Sequence, residues 1–163
     1  MDITYFFEQF KKKVTEIMKD EYIGKENDFY DKPSWTYLIG IAIYNIIKDY
    51  NDKNTPEYYI VAEDNIHKKR ADFSIFSWSD NKKVFEIEHE NDLTRIPDTY
   101  EKLIKSRAKI KLIIGYSIPK IKKELIITDL KNIKQMNNVT ENIYLIIAQR
   151  GILSGEGYSL IGV

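Results

Sequence analysis

Asp72 falls on one apolar run, Ala71–Phe76, and Glu86-Ile87-Glu88 falls on the next, Lys83–His89. The polar segment Ser77-Trp78-Ser79-Asp80-Asn81 separates them. If the two runs pair as a hairpin, three carboxylates converge near the ends of adjacent strands. Strand alternation puts Glu86 and Glu88 on one face, with Phe85 and Ile87 on the other. Like charges along one strand face repel, so the arrangement is costly unless a cation neutralises it. Every candidate ligand is an oxygen, which makes a hard divalent metal the expected cation.

Phosphodiester hydrolysis is a reaction that such a site serves. It needs an activated water, neutralisation of charge at phosphorus and help for the departing oxygen, and one or two Mg²⁺ ions on carboxylates supply all three. Mn²⁺ is the expected substitute. Asp72 and Glu86 would be the side-chain ligands, and the Ile87 carbonyl could offer a third oxygen. Glu88 would orient the water, accept its proton or hold a second ion. The competing reading of Glu86-x-Glu88-x-Glu90 is a solvated strand edge with alternating charge.

The flanking elements follow from periodicity. Ile3, Phe6, Phe7, Phe10, Val14, Ile17, Met18 and Tyr22 repeat with helical spacing, and Asp2 is placed to cap that helix. The polar stretch Gly24–Lys32 reads as a loop closed by Pro33. A second helix is expected from Ser34, as N-cap, to about Tyr50, with Trp35, Leu38, Ile39, Ala42, Ile43, Ile46 and Ile47 buried. Strands are expected at Tyr58–Ala62, Ala71–Phe76 and Lys83–His89. Pro97 suits the first turn of a helix reaching about Arg107, with Tyr100, Leu103, Ile104 and Ala108 inward. Ile110–Tyr116 reads as an interior strand. A helix from Pro119 to about Met136 follows, spaced through Ile121, Leu125, Leu130 and Ile133. Asn142–Ala148 is another central strand, and a loop marked by Gly151, Gly155 and Gly157 precedes a closing Tyr158–Ile161 segment. An α/β sandwich around a mixed sheet satisfies this order with short connections.

The 163 residues predict a single domain with its core at about 34–148. With 43% hydrophobic and 31% charged residues the chain is an ordinary globular sequence. The absence of cysteine excludes disulfides, thiolate zinc sites and cysteine nucleophiles. The start MDITYFFEQFKKK lacks a basic segment followed by an apolar stretch, and the longest apolar run, Ile39–Tyr44, is too short to span a bilayer. No membrane partner is expected, and a cytoplasmic or otherwise intracellular location is the default. Net charge is zero but uneven: Glu101–Lys134 holds ten Lys/Arg against three acids, so a basic face could still meet a polyanion. The run His67-Lys68-Lys69-Arg70, just before Asp72, could touch a phosphate backbone. No phosphate-cradling Gly-rich loop followed by Lys-Ser/Thr is present, and no Gly-x-Ser-x-Gly elbow.

With Arg70-Ala71-Asp72-Phe73-Ser74-Ile75 and Val84-Phe85-Glu86-Ile87-Glu88, set in an αβββαβ order over residues 34–116, the chain resembles the restriction-endonuclease-like PD-(D/E)xK nuclease superfamily. The resemblance covers about half the chain. It implies a restriction-endonuclease-like core with a mixed central sheet, preceded here by an extra helix. It also implies Mg²⁺-dependent endonuclease action on DNA, or on RNA, with Asp72 and Glu86 as metal ligands. Glu88 then occupies the usual lysine position, and Lys102 or Lys105 on the following helix could replace that cation. Ala71 stands where the motif has proline. The glutamate often found on the first core helix has no counterpart between Ser34 and Tyr50, and Glu8 or Glu16 could serve instead. In an alternative register the key pair is Glu88 and Glu90, although His89 between them fits the motif poorly. His89 is expected to pack or hydrogen-bond on the opposite face. A homodimer would suit cleavage of two strands. The rival function is a nuclease-like fold that binds nucleic acid or a partner protein without cutting.

Overall fold

The computed structural model describes residues 1–21, 32–62, 71–117, 123–149 and 157–163. Within them, four helices flank one six-stranded mixed sheet. In chain order the elements are α1 (Ile3–Glu21), α2 (Lys32–Lys53), β1 (Tyr58–Ala62), β2 (Phe73–Ser77) and β3 (Lys83–Glu90). Then come α3 (Ile96–Ile104), β4 (Ile110–Ser117), α4 (Lys123–Met136), β5 (Ile143–Gln149) and β6 (Tyr158–Gly162). The strands lie side by side in that order. The β1–β2, β2–β3 and β5–β6 pairs are antiparallel, whereas β3–β4 and β4–β5 are parallel. Parallel neighbours need a crossover rather than a hairpin, and α3 and α4 are those crossovers.

The sheet separates two cores. On one side Phe6, Phe10, Ile39, Ile43 and Ile46 of α1 and α2 pack on Ile75, Phe85, Ile87 and Leu112. On the other, Tyr100 and Leu103 of α3 and Leu130 of α4 pack on Ile113, Leu145 and Ile147. Each such side chain, fully withdrawn from water, contributes roughly 1.5–3 kcal/mol. The run Leu112-Ile113-Ile114 is buried on both faces, as an interior parallel strand requires.

Several boundaries differ from the sequence expectation for local reasons. Asp2 does cap α1, its Oδ1 accepting the Tyr5 N–H at 2.8 Å. Ser34, however, is not a cap: α2 already begins at Lys32 and takes Pro33 into its first turn, where a missing N–H costs nothing. The second strand starts at Phe73, which leaves Asp72 just outside it. Helix α3 ends at Ile104 rather than near Arg107, and Ser106 Oγ takes the Ala108 N–H at 3.0 Å as the chain turns into β4. Leu125 is 61% exposed, because the inward stripe of α4 is Ile126, Leu130 and Ile133. Tyr22, the Gly24–Asp31 stretch, His67 to Arg70, Pro119, Ile121, Gly151 and Gly155 lie outside the described residues, as do the side chains of Met18 and Trp35.

Candidate active site

Strand β3 lies inside the sheet, between β2 and β4, so its acidic face is not a solvated edge. Phe85 and Ile87 enter the core beneath α1 and α2. Glu86 and Glu88 face the other way, toward α3, and are only 4% and 8% exposed. Burial at that level is rare for carboxylates and demands partners.

Glu88 has one cationic partner and two acidic neighbours, Asp72 and Glu86. Lys102 reaches across from α3 and places Nζ 2.7 Å from Glu88 Oε1. The last β2–β3 pair is Phe73 with Ile87, so one further step sets Asp72 across from Glu88. The Asp72 carboxylate accepts the His89 backbone N–H at 2.7 Å, which ties it to the end of β3. Burial pushes Glu88 up to about 7; the Lys102 ammonium opposes this, and the charges of Asp72 and then Glu86 add to it. A carboxyl held near neutrality in this way belongs to the class that functional sites enrich.

Glu86 is built into different surroundings. Its Oε2 accepts from Lys83 Nζ at 3.1 Å and from Ser106 Oγ at 2.5 Å. Strict alternation would send Lys83 to the opposite face. The register shift between Ile75 and Phe76, which pairs Phe76 with Lys83 and leaves Val84 as the extra residue, lets it come round. Across the sheet Glu86 pairs with Ser74 on β2 and Lys111 on β4. Lys111 is buried, yet its ammonium goes to Glu141 Oε2 at 2.5 Å and to the Ile104 carbonyl at 3.4 Å. Lys83 and Ser106 were not legible as partners in the sequence, because a bulge and the α3 crossover bring them there.

His89 lies on the other face of β3, as expected, and is fully bonded. Its Nδ1 is 2.9 Å from Thr36 Oγ1 on α2 and its Nε2 is 3.1 Å from Tyr116 OH on β4. Burial pushes its pKa down to about 3, so the ring is neutral. Glu90 sits near the end of β3, with Thr99 Oγ1 donating to its Oε2 at 3.3 Å and Arg95 Nε at 4.0 Å. Lys105 lies over the Glu86 end of the site rather than over Glu88. Ile87 contributes a core side chain, with Phe73 and Leu112 on its flanks. Glu8 and Glu16 pair with lysines of their own helix, Lys11 and Lys12 or Lys13. Lys68, Lys69 and Arg70 are outside the described residues.

The charges of both Asp72 and Glu86 act on Glu88; Asp72 also lines a cleft with Thr36 and Tyr37 of α2, and Glu86 has its own lysine and serine partners. Among the described residues no three His, Asp or Glu side chains gather closely enough to hold one metal ion between them. The Asp72–Glu88 pair nonetheless fits a hard divalent ion in its chemistry. Both donors are carboxylate oxygens, and Glu88 is held where burial penalises its charge and a single ammonium answers it. Among the described residues, no helix is long and apolar enough to cross a membrane. The chain matches no protein-family model, no curated protein and no solved structure.

Proposed function

We propose that the protein is a metal-dependent endonuclease that hydrolyses phosphodiester bonds in DNA. The observation that carries this reading is the cation on Glu88. The resemblance to PD-(D/E)xK nucleases expects a lysine where Glu88 stands, and Lys102 brings an ammonium to within 2.7 Å of that glutamate from α3. The arrangement of strands supports it too: three antiparallel strands followed by a helical crossover to a parallel fourth suit an αβββαβ core.

In this reading Asp72 and Glu88 are the residues that would hold Mg²⁺ or Mn²⁺. A bound ion supplies an activated water and stabilises charge on the phosphate. Lys102, whose ammonium lies beside Glu88, would offset charge on the phosphate oxygens. Glu86 secures the far end of the face through Lys83 and Ser106 rather than serving as the second ligand. This shifts the motif toward the register in which Glu88 and Glu90 are the key pair. The resemblance extends to RNA as a second substrate.

The isolation of Glu86 on its own partners also favours a second reading, in which the fold binds nucleic acid without cutting it. Cleavage of labelled single-stranded, duplex and branched DNA with Mg²⁺ or Mn²⁺ separates the two. The nuclease reading expects metal-dependent cutting that disappears in folded Asp72→Ala and Glu88→Gln and persists, reduced, in Glu86→Gln. A well-folded protein that binds DNA and cuts none of these substrates with either ion leaves the noncatalytic reading in its place.

A further inference from the structure

We infer that the tip of the β2–β3 hairpin, with the end of α3, forms a binding site for an unpaired nucleic-acid strand beside the carboxylate face. Trp78 stands on the hairpin turn, 60% exposed, with its backbone N–H held by the Glu57 carbonyl at 2.8 Å. Its ring is 4.6 Å from Tyr59, whose ring in turn stacks on Phe76 at 5.3 Å. The tryptophan thus packs on Tyr59, itself stacked on Phe76, and keeps an exposed aromatic surface.

This platform is continuous with a cationic cleft. Phe76 and Asn81 line a cleft of about 490 Å³ together with Lys83, Glu86, Lys105 and Arg107. Asn81 also receives the Tyr59 hydroxyl, which joins the aromatic group to the cleft wall. Lys83 Nζ lies 5.7 Å over the Phe76 ring and 3.1 Å from Glu86 Oε2. Lys105 and Arg107 are exposed at its rim. Three cations against one carboxylate suit a phosphate backbone, and an exposed, braced indole beside them suits a base with its face free. A duplex keeps its base faces stacked on one another, so the occupant that uses both halves is a single strand.

The inference rests on the proposed function only in taking the partner to be nucleic acid; it requires no hydrolysis. The test is anisotropy of labelled oligo-dT, oligo-rU and a DNA hairpin duplex with the full chain in EDTA, across a range of salt. Cutting with Mg²⁺ is measured separately. The single strands are expected to bind more tightly than the duplex. Trp78→Ala should weaken their binding by about fivefold or more, with Trp78→Phe recovering most of it. Replacing Lys105 and Arg107 by Ala should flatten the salt slope by about 0.7 for each phosphate that the protein no longer neutralises. Tighter binding of oligo-dT or of oligo-rU identifies the strand as DNA or RNA. Equal affinity for strand and duplex, or single-strand binding unchanged in Trp78→Ala, overturns the inference. Asp72-dependent cutting with no Trp78 dependence keeps the nuclease reading and removes this site; Trp78-dependent binding by a protein that never cuts does the reverse.

Discussion

Glu88 and His89 are adjacent in sequence and each is 8% exposed, yet burial has opposite consequences for them. His89 points into the layer beneath α1 and α2, where hydroxyls from Thr36 and Tyr116 meet both ring nitrogens. Its neutral form is complete there, and the residue joins α2, β3 and β4. Glu88 points toward α3, where one ammonium meets one oxygen and two acids add repulsion. One face of β3 satisfies its polar group, while the other keeps a carboxyl poised near neutral pH. Equal exposure therefore says little about role; the number and sign of the partners separates a structural residue from a candidate site.

The largest effect that would break this contrast is on cutting. Glu88→Gln is expected to remove metal-dependent cleavage, whereas His89→Gln should retain it in whatever fraction of the protein is folded. Cleavage assays on both variants with Mg²⁺ at neutral pH make the comparison, and activity in Glu88→Gln would end the distinction between the faces.

Acid stability of His89 comes next. Its folded pKa of about 3 lies below its unfolded value of 6.5, so the unfolded chain binds the extra proton between those limits. Stability is therefore fully present above about pH 6.5 and falls as pH drops toward 3, by on the order of 5 kcal/mol. His89→Gln should flatten that fall and lower stability at pH 7 by about 1–2 kcal/mol through poorer hydrogen bonding. Urea midpoints between pH 4 and pH 8 follow both effects.

Glu88 has the opposite sign. Its folded pKa of about 7 exceeds the unfolded 4.5, so the folded protein binds the extra proton, and stability declines as pH rises through that window by roughly 3 kcal/mol. Without added metal, Glu88→Gln should gain about 2–3 kcal/mol at pH 8 and change little at pH 4. Identical wild-type and variant pH profiles would show that the carboxyl is not poised.

Smaller again is Lys102→Met, which removes the ammonium that opposes the burial penalty and should move the Glu88 titration to higher pH. A carboxyl-resolved NMR titration of wild type and variant would detect it. The smallest stability effect belongs to Glu90→Gln, about 0.5 kcal/mol or less, since its Arg95 partner is 69% exposed and 4.0 Å away. A strong loss of cutting in that folded variant would sharpen the register by giving Glu90 the place after Glu88.

The elements were readable because their signals are local. The β1 segment Tyr58–Ala62 has its expected limits, and α1, β3, β4 and β5 lie within a residue or two of theirs. Alternation along Phe85-Glu86-Ile87-Glu88-His89 assigned each residue to its face, and His89 to a hydrogen-bonded rather than a ligating role. The pairing of carboxylates was harder to read. Asp72, Glu86 and Glu88 were expected to converge; antiparallel register pairs Ser74 with Glu86, and Asp72 lies just before Phe73, the partner of Ile87. Lys102 was one of two candidates for the missing cation. Lys102, on α3, lies beside Glu88, whereas Lys105, just past the end of α3, lies at the Glu86 end.

By itself the sequence determined the layered α/β arrangement, the hairpin and the acidic face of β3, because hydrophobic period and turn chemistry act over a few residues. Tertiary structure decided which acid stands beside which, which lysine answers each, and that Trp78 adjoins a basic cleft. Those distances depend on strand register, a bulge at Ile75/Phe76 and the return of α3 across the sheet, and no local stretch of chain encodes them.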